Sequence, residues 1–130
     1  MNAQAERWLG FAQSDLAAAR VVFDAGLYNQ VCFHAQQCVE KAVKGTLVHL
    51  GKSPPRIHAI TDLLRLLPHG WLAEIAEGLA ALDDYYIASR YPDALPGALA
   101  EGLPGKDEAE EALNLARTAL QLIRQRTDYE

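Results

Sequence analysis

The stretch from Tyr28 to Leu50 constrains the fold more than any other part of the chain. Val31, Ala35, Cys38, Val39, Ala42 and Thr46 recur at steps of three and four, which lines them up on one face of a helix. Alanine and leucine dominate the chain while valine and isoleucine are sparse, a balance that suits helices and not half-buried strands. Gly51 ends the segment. Lys52-Ser53-Pro54-Pro55 then forces a loop, because proline and the residue before it resist helical geometry.

The remaining segments repeat the pattern. A first helix is expected from about Asn2 to Ala25, with Trp8, Ala12, Leu16, Ala19 and Phe23 in one stripe and Gly26 as its stop. A short third helix fits His58 to Leu67, ending before Pro68. A fourth fits Trp71 to about Arg90, with Leu72, Ile75, Leu79, Leu82 and Tyr86 along its seam. Pro92, Pro96 and Pro104, with Gly97, Gly102 and Gly105, make a long loop from Tyr91 to Lys106. The last helix starts near Asp107, where Glu110 completes a capping arrangement, and turns Leu113, Ala116, Leu120 and Ile123 inward. The expected fold is all-α: an up-and-down antiparallel bundle of four long helices plus one short helix, in a single domain over residues 1–130.

Charge and cysteine usage narrow the function. A net charge of −5 argues against a surface that grips nucleic acid all round, though a local basic patch remains compatible with it. No apolar run is long enough to span a membrane, and the first residues lack a signal-peptide pattern, so a cytoplasmic location is expected. Cys32 and Cys38 are six residues apart on one helix. That puts their Cα atoms about 9 Å apart, beyond disulfide reach of roughly 7 Å. They read as reduced core thiols.

Chemistry concentrates in two places. Gln30, His34, Gln37, Lys41 and Lys44 follow one another at steps of four, three, four and three, which confines them to a sector about 80° wide. Imidazole, amide and ammonium groups in such a stripe can donate several hydrogen bonds to phosphate oxygens. The plainer reading is a solvated helix face with Glu40 and Lys44 as an ion pair one turn apart. The second place is Asp83-Asp84-Tyr85-Tyr86, followed by Arg90-Tyr91-Pro92-Asp93. Arg90 can bind a phosphate there, stack on Tyr86 or cap its own helix, with Asp93 orienting it. His58, at the head of the third helix, can pack, cap or join the site. No histidine, cysteine or carboxylate set has metal-binding spacing, and neither a phosphate-cradling loop nor a serine nucleophile elbow is present. No cofactor is implied.

Taken together, these residues resemble a known family. Gly26-Leu27-Tyr28-Asn29-Gln30-Val31-Cys32-Phe33-His34-Ala35-Gln36-Gln37, with Val39-Glu40-Lys41-Ala42-Val43-Lys44, looks like the central helix of HEPN domains (higher eukaryotes and prokaryotes nucleotide-binding). His58-Ala59-Ile60-Thr61-Asp62-Leu63-Leu64 resembles the family's histidine followed by a leucine-rich short helix. Arg90-Tyr91-Pro92-Asp93 is a third match, and Trp8 with Asp15-Leu16 is a fourth. The resemblance runs in order over nearly the whole chain. It implies a helical bundle that forms a homodimer or higher homo-oligomer, with a role tied to nucleotides or nucleic acid. It also implies a minimal nucleotidyltransferase as partner, since standalone prokaryotic members are often encoded beside one.

One departure bears on activity. Ribonucleases of the wider superfamily carry an arginine, four to six residues, then a histidine. Here Leu95, Pro96 and Gly97 stand at the histidine's places after Arg90. Metal-independent RNA cleavage calls for a base or acid that works near neutrality, and histidine is the natural one. The sequence therefore assigns no catalytic residue. Its leading expectation is a non-catalytic nucleotide-binding or accessory subunit. His34, Gln37, Lys41, Lys44, His58, Arg90 and Asp93 are its candidate phosphate contacts. The alternatives are an RNA-cleaving toxin of a toxin–antitoxin pair and a purely structural oligomerisation module.

Overall fold

The side chain of Asn2 begins the first helix: its Oδ1 accepts a hydrogen bond from the Ala5 amide at 2.8 Å, satisfying one of the open donors at a helix start. The computed structural model describes residues 1–90 and 103–128, and for 86–90 the backbone alone. The helices are α1 (Ala3–Asp24), α2 (Tyr28–His49), α3 (Ile60–Leu64), α4 (Ala76–Arg90) and α5 (Lys106–Asp128), with a 3-10 turn at Ala73–Ile75 before α4. They form an all-helical bundle, and among the described residues there is no strand.

α1 and α2 end in the same way. Gly26 at φ 77° lets the Leu27 amide reach back to the Val22 carbonyl at 2.9 Å. Gly51 at φ 85° does the same for Lys52 and Leu47, also at 2.9 Å. Both are glycine-terminated helix ends of the left-handed type. These glycines are the expected stops, and the expected bounds of both helices hold to within about two residues.

The third and fourth helices are shorter than their periodicity suggests. α3 covers only Ile60–Leu64, not His58 to Leu67. The carboxylate of Asp83 on α4 accepts the amides of Ile60 at 2.8 Å and Thr61 at 3.1 Å, which fixes where the helix begins. Beyond Leu64 the chain tightens into three-residue turns, from Leu66 to Leu63 and from Leu67 to Leu64. The fourth helix starts at Ala76 and not at Trp71, because Gly70 (φ 87°) and Leu72 (φ 61°) both take left-handed backbone. For a leucine that conformation costs roughly 1–2 kcal/mol. Full burial of the Leu72 side chain offsets it.

α2 is the central element and packs against α1, α3, α4 and α5. Its whole expected apolar face is buried, and Val43, Leu47 and Val48 are buried as well. Leu9, Ala12, Leu16 and Ala19 of α1 close on it from one side, and Ala116, Ala119 and Ile123 of α5 from another. Gly45 sets the separation of α1 and α2. A Cβ there would lie 2.8 Å from the Cβ of Trp8 and 3.2 Å from the Ala5 carbonyl oxygen. No described helix is long and apolar enough to cross a membrane.

Candidate functional site

The polar residues of α2 divide into two clusters, each gathered by a carboxylate. Asp15 of α1 holds the first. Its Oδ1 lies 3.0 Å from His34 Nδ1, and its Oδ2 accepts from Lys41 Nζ at 2.6 Å. The site side chains stay partly open, His34 at 27% and Lys41 at 29% exposure. Spacing brings this about: His34 and Lys41 are two turns apart, so one acidic side chain from the neighbouring helix fits between them. The Phe33 ring meets His34 edge-on at 5.3 Å.

Glu40 holds the second cluster. Its Oε2 accepts from Lys44 Nζ at 3.1 Å and lies 3.3 Å from His58 Nδ1. Lys44 also sits 5.9 Å from the centre of the Trp8 ring, a cation–π distance. Glu40 and Lys44 are 6% and 7% exposed, whereas His58 is 57% exposed. Among the described residues, Glu40 Oε1 is buried with no hydrogen-bond partner.

A third set of contacts carries the segment that bears His58. Fully buried Gln36 donates through Nε2 to the His58 carbonyl at 3.1 Å and to Asp83 Oδ1 at 3.4 Å. Its Oε1 accepts from Gln37 at 2.8 Å. Asp83 also accepts from the Thr61 hydroxyl at 2.9 Å. The backbone from the His58 carbonyl to Thr61 is thus tied to α2 and α4.

The structure joins His34 to Lys41 through Asp15, Lys44 to His58 through Glu40, and Gln37 to the His58 segment through Gln36. Lys44 faces inward, so its ammonium serves Glu40 and not solvent. The ion pair between them is the one expected from their spacing, but it lies in the interior and not on a solvated face. Arg90 is the last residue of α4, its side chain outside the described set, and Asp93 lies outside the described residues. Asp15, Gln36, Glu40 and Asp83 organise the site, yet spacing alone gives none of them a binding role. A signal for two of them is present in the sequence: Gln36 and Glu40 stand in helical line with the apolar Val43 and Leu47. Polar groups on an apolar sector are expected to carry buried hydrogen bonds.

Cys32 and Cys38 take no part. Burial pushes both thiols up to about 12, and they contribute to the core as small apolar groups. Among the described residues no group of histidine, cysteine and carboxylate side chains could hold a metal ion.

Comparison with known proteins agrees with the sequence resemblance. The HEPN domain family matches residues 5–126. A protein of Methanocaldococcus jannaschii named putative toxin MJ1304 is 31% identical over 124 residues, which cover 87% of this chain and 81% of that one. The crystal structure of TT1696 from Thermus thermophilus superposes with a TM-score of 0.82 at 38% identity, over 96% of this chain and 98% of the other. ST0689, described as an archaeal HEPN homologue, superposes with a TM-score of 0.77 at 37% identity, over 98% and 99%.

Proposed function

The chain belongs to the HEPN domain family, and on that premise we propose that it is the toxin component of a two-protein module, acting on RNA and partnered by a minimal nucleotidyltransferase. The observation that carries this reading is the His58–Glu40 contact: an exposed imidazole held by a buried carboxylate. It offers acid–base chemistry on a chain that lacks a histidine after Arg90. A relative named as a putative toxin, alike over most of both chains, supports the same direction. Expression from a tightly controlled promoter in a bacterial host tests it. The expected result is growth arrest with shortened cellular RNA. Normal growth with intact RNA overturns the reading. Purification from the native host is expected to bring down a nucleotidyltransferase.

A second reading is a nucleotide-binding accessory subunit acting as a homodimer. It is favoured by His34 and Lys41, which stand together on Asp15 and remain partly exposed. The Lys41 ammonium has three donors and gives one to Asp15, so it can still meet a phosphate. Titration calorimetry with ATP and GTP decides it: micromolar binding that weakens in Lys41→Ala supports the subunit, and absence of heat with either nucleotide removes it.

A further inference from the structure

The outward side of α1 carries a hollow with aromatic walls. Gln4, Arg7, Trp8 and Phe11 follow one another at steps of three, one and three, so their side chains surround one spot on the helix surface. They line an open groove of about 240 Å³. Pockets that enclose a whole drug-sized ligand run to roughly 300–1,000 Å³. This groove is smaller, and it suits one flat ring system with the rest of its molecule outside.

Trp8 is held in place. Its Cβ packs so closely on Gly45 of α2 that an added Cβ there would lie 2.8 Å away, and the buried Lys44 ammonium sits 5.9 Å from its ring centre. A ring fixed in advance loses little freedom when something stacks on it. Phe11 stands in solvent, 59% exposed. An apolar side chain exposed singly is ordinary, but here the phenyl shares its groove with the fixed indole.

Cations border the same groove. Arg7 lines it and makes no ion pair among the described residues. Trp8, Phe11 and Asp15 follow at steps of three and four along α1. Phe11 and Asp15 therefore lie side by side, about 5–6 Å apart at their Cβ atoms. Lys41 Nζ, held 2.6 Å from Asp15 Oδ2, comes next along that face. Its ammonium keeps two further donors.

Aromatic walls receive a flat ring by stacking, and the neighbouring ammonium receives a phosphate, so the face is complementary to a nucleotide. We propose that the groove between Trp8 and Phe11 takes the base of a nucleotide whose phosphates meet Lys41. The site rests on the nucleotide-binding reading and deepens it: that reading supplies a contact for phosphate, and the groove supplies one for the base. Arg7 adds a second cation beside the phosphate chain. The Gln4 amide offers both a donor and an acceptor to the edge of the base. Such an amide suits any base, so ATP and GTP are expected to bind alike.

The test uses ATP, with tripolyphosphate as the ligand that lacks a base. Trp71→Phe leaves Trp8 as the sole tryptophan, and ATP is expected to quench its fluorescence on stacking. Phe11→Ala removes an exposed ring and keeps the fold. It is expected to weaken ATP binding about 5–150-fold and to leave tripolyphosphate binding unchanged, whereas Lys41→Ala weakens both. ATP bound without quenching of Trp8, or bound as tightly by Phe11→Ala as by the wild type, overturns the groove and leaves the nucleotide-binding reading intact. So does a Phe11→Ala protein that keeps its ATP affinity but changes its mass by light scattering, since the groove would then receive another protein chain. Absence of heat when ATP is titrated into the wild type overturns both.

Discussion

Lys44 donates to Glu40 at 3.1 Å across one turn of the central helix, with both side chains more than nine-tenths buried. Two charges in the interior are stable only as partners, because each has given up its hydration. Removing one leaves the other stranded. Lys44→Met is therefore expected to lower stability by about 3–5 kcal/mol, whereas Glu40→Leu combined with Lys44→Met is expected to recover most of that loss. Urea denaturation measures both. A single variant within about 1 kcal/mol of wild type would show that the pair is not dry.

Two glycines of the α1–α2 pair are expected to respond to alanine in opposite directions. At Gly45 a methyl group meets the Trp8 Cβ and the Ala5 carbonyl, neither of which can swing aside, so Gly45→Ala forces the helices apart. Overpacking of this kind costs about 1–3 kcal/mol. Gly10 has open space around it within α1, and Gly10→Ala is expected to gain up to about 1 kcal/mol from helix propensity. Thermal melts of the two variants should shift to opposite sides of the wild type.

How far this site could be read from sequence depends on which side of a residue is asked about. The α2 stripe and the glycine stops follow from local spacing, and so they were legible. So was the Glu40–Lys44 pair, one turn apart, but not its burial, because Trp8 of α1 and the segment bearing His58 come to it from distant parts of the chain. Asp15 lies 19 residues from His34 and 26 from Lys41, so nothing local announces that it joins them. The start of α3 departs from its periodic pattern for the same reason: its cap is Asp83, more than 20 residues away. Leu72 in left-handed backbone was invisible because burial, not local preference, holds it there.

The cysteines give a test of the core. Burial raises both thiols to about 12, so near pH 8 they remain protonated as well as covered. Ellman's reagent is expected to find no fast-reacting thiol in the native protein and both after denaturation. A rapid native equivalent would mean that α2 opens toward solvent.

At the other end of the bundle Arg124 of α5 grips Glu6 of α1 with two hydrogen bonds, at 2.8 and 3.1 Å. The hydrogen bond from Arg124 is the main cause that lowers the Glu6 carboxyl below its ordinary 4.5. A carboxyl depressed in the folded state stabilises fully above its unfolded value and loses that contribution as pH falls through its folded one. The stability difference between wild type and Glu6→Gln is thus expected to be present near pH 7 and to close below about pH 4. It should also shrink in high salt, because both side chains are more than a third exposed. Melting temperatures across the range from about pH 3 to about pH 7 would show it.

The ends of the RNA product bear most directly on the function. Purified wild-type protein is incubated with a 5′-labelled single-stranded RNA in the presence of EDTA, and the fragment termini are identified by mass spectrometry. Cleavage that persists in EDTA and leaves 2′,3′-cyclic phosphate and 5′-hydroxyl ends is the expected result for a toxin that cleaves RNA by acid–base chemistry without a metal. Intact RNA, or fragments ending in 3′-hydroxyl and 5′-phosphate, would contradict it.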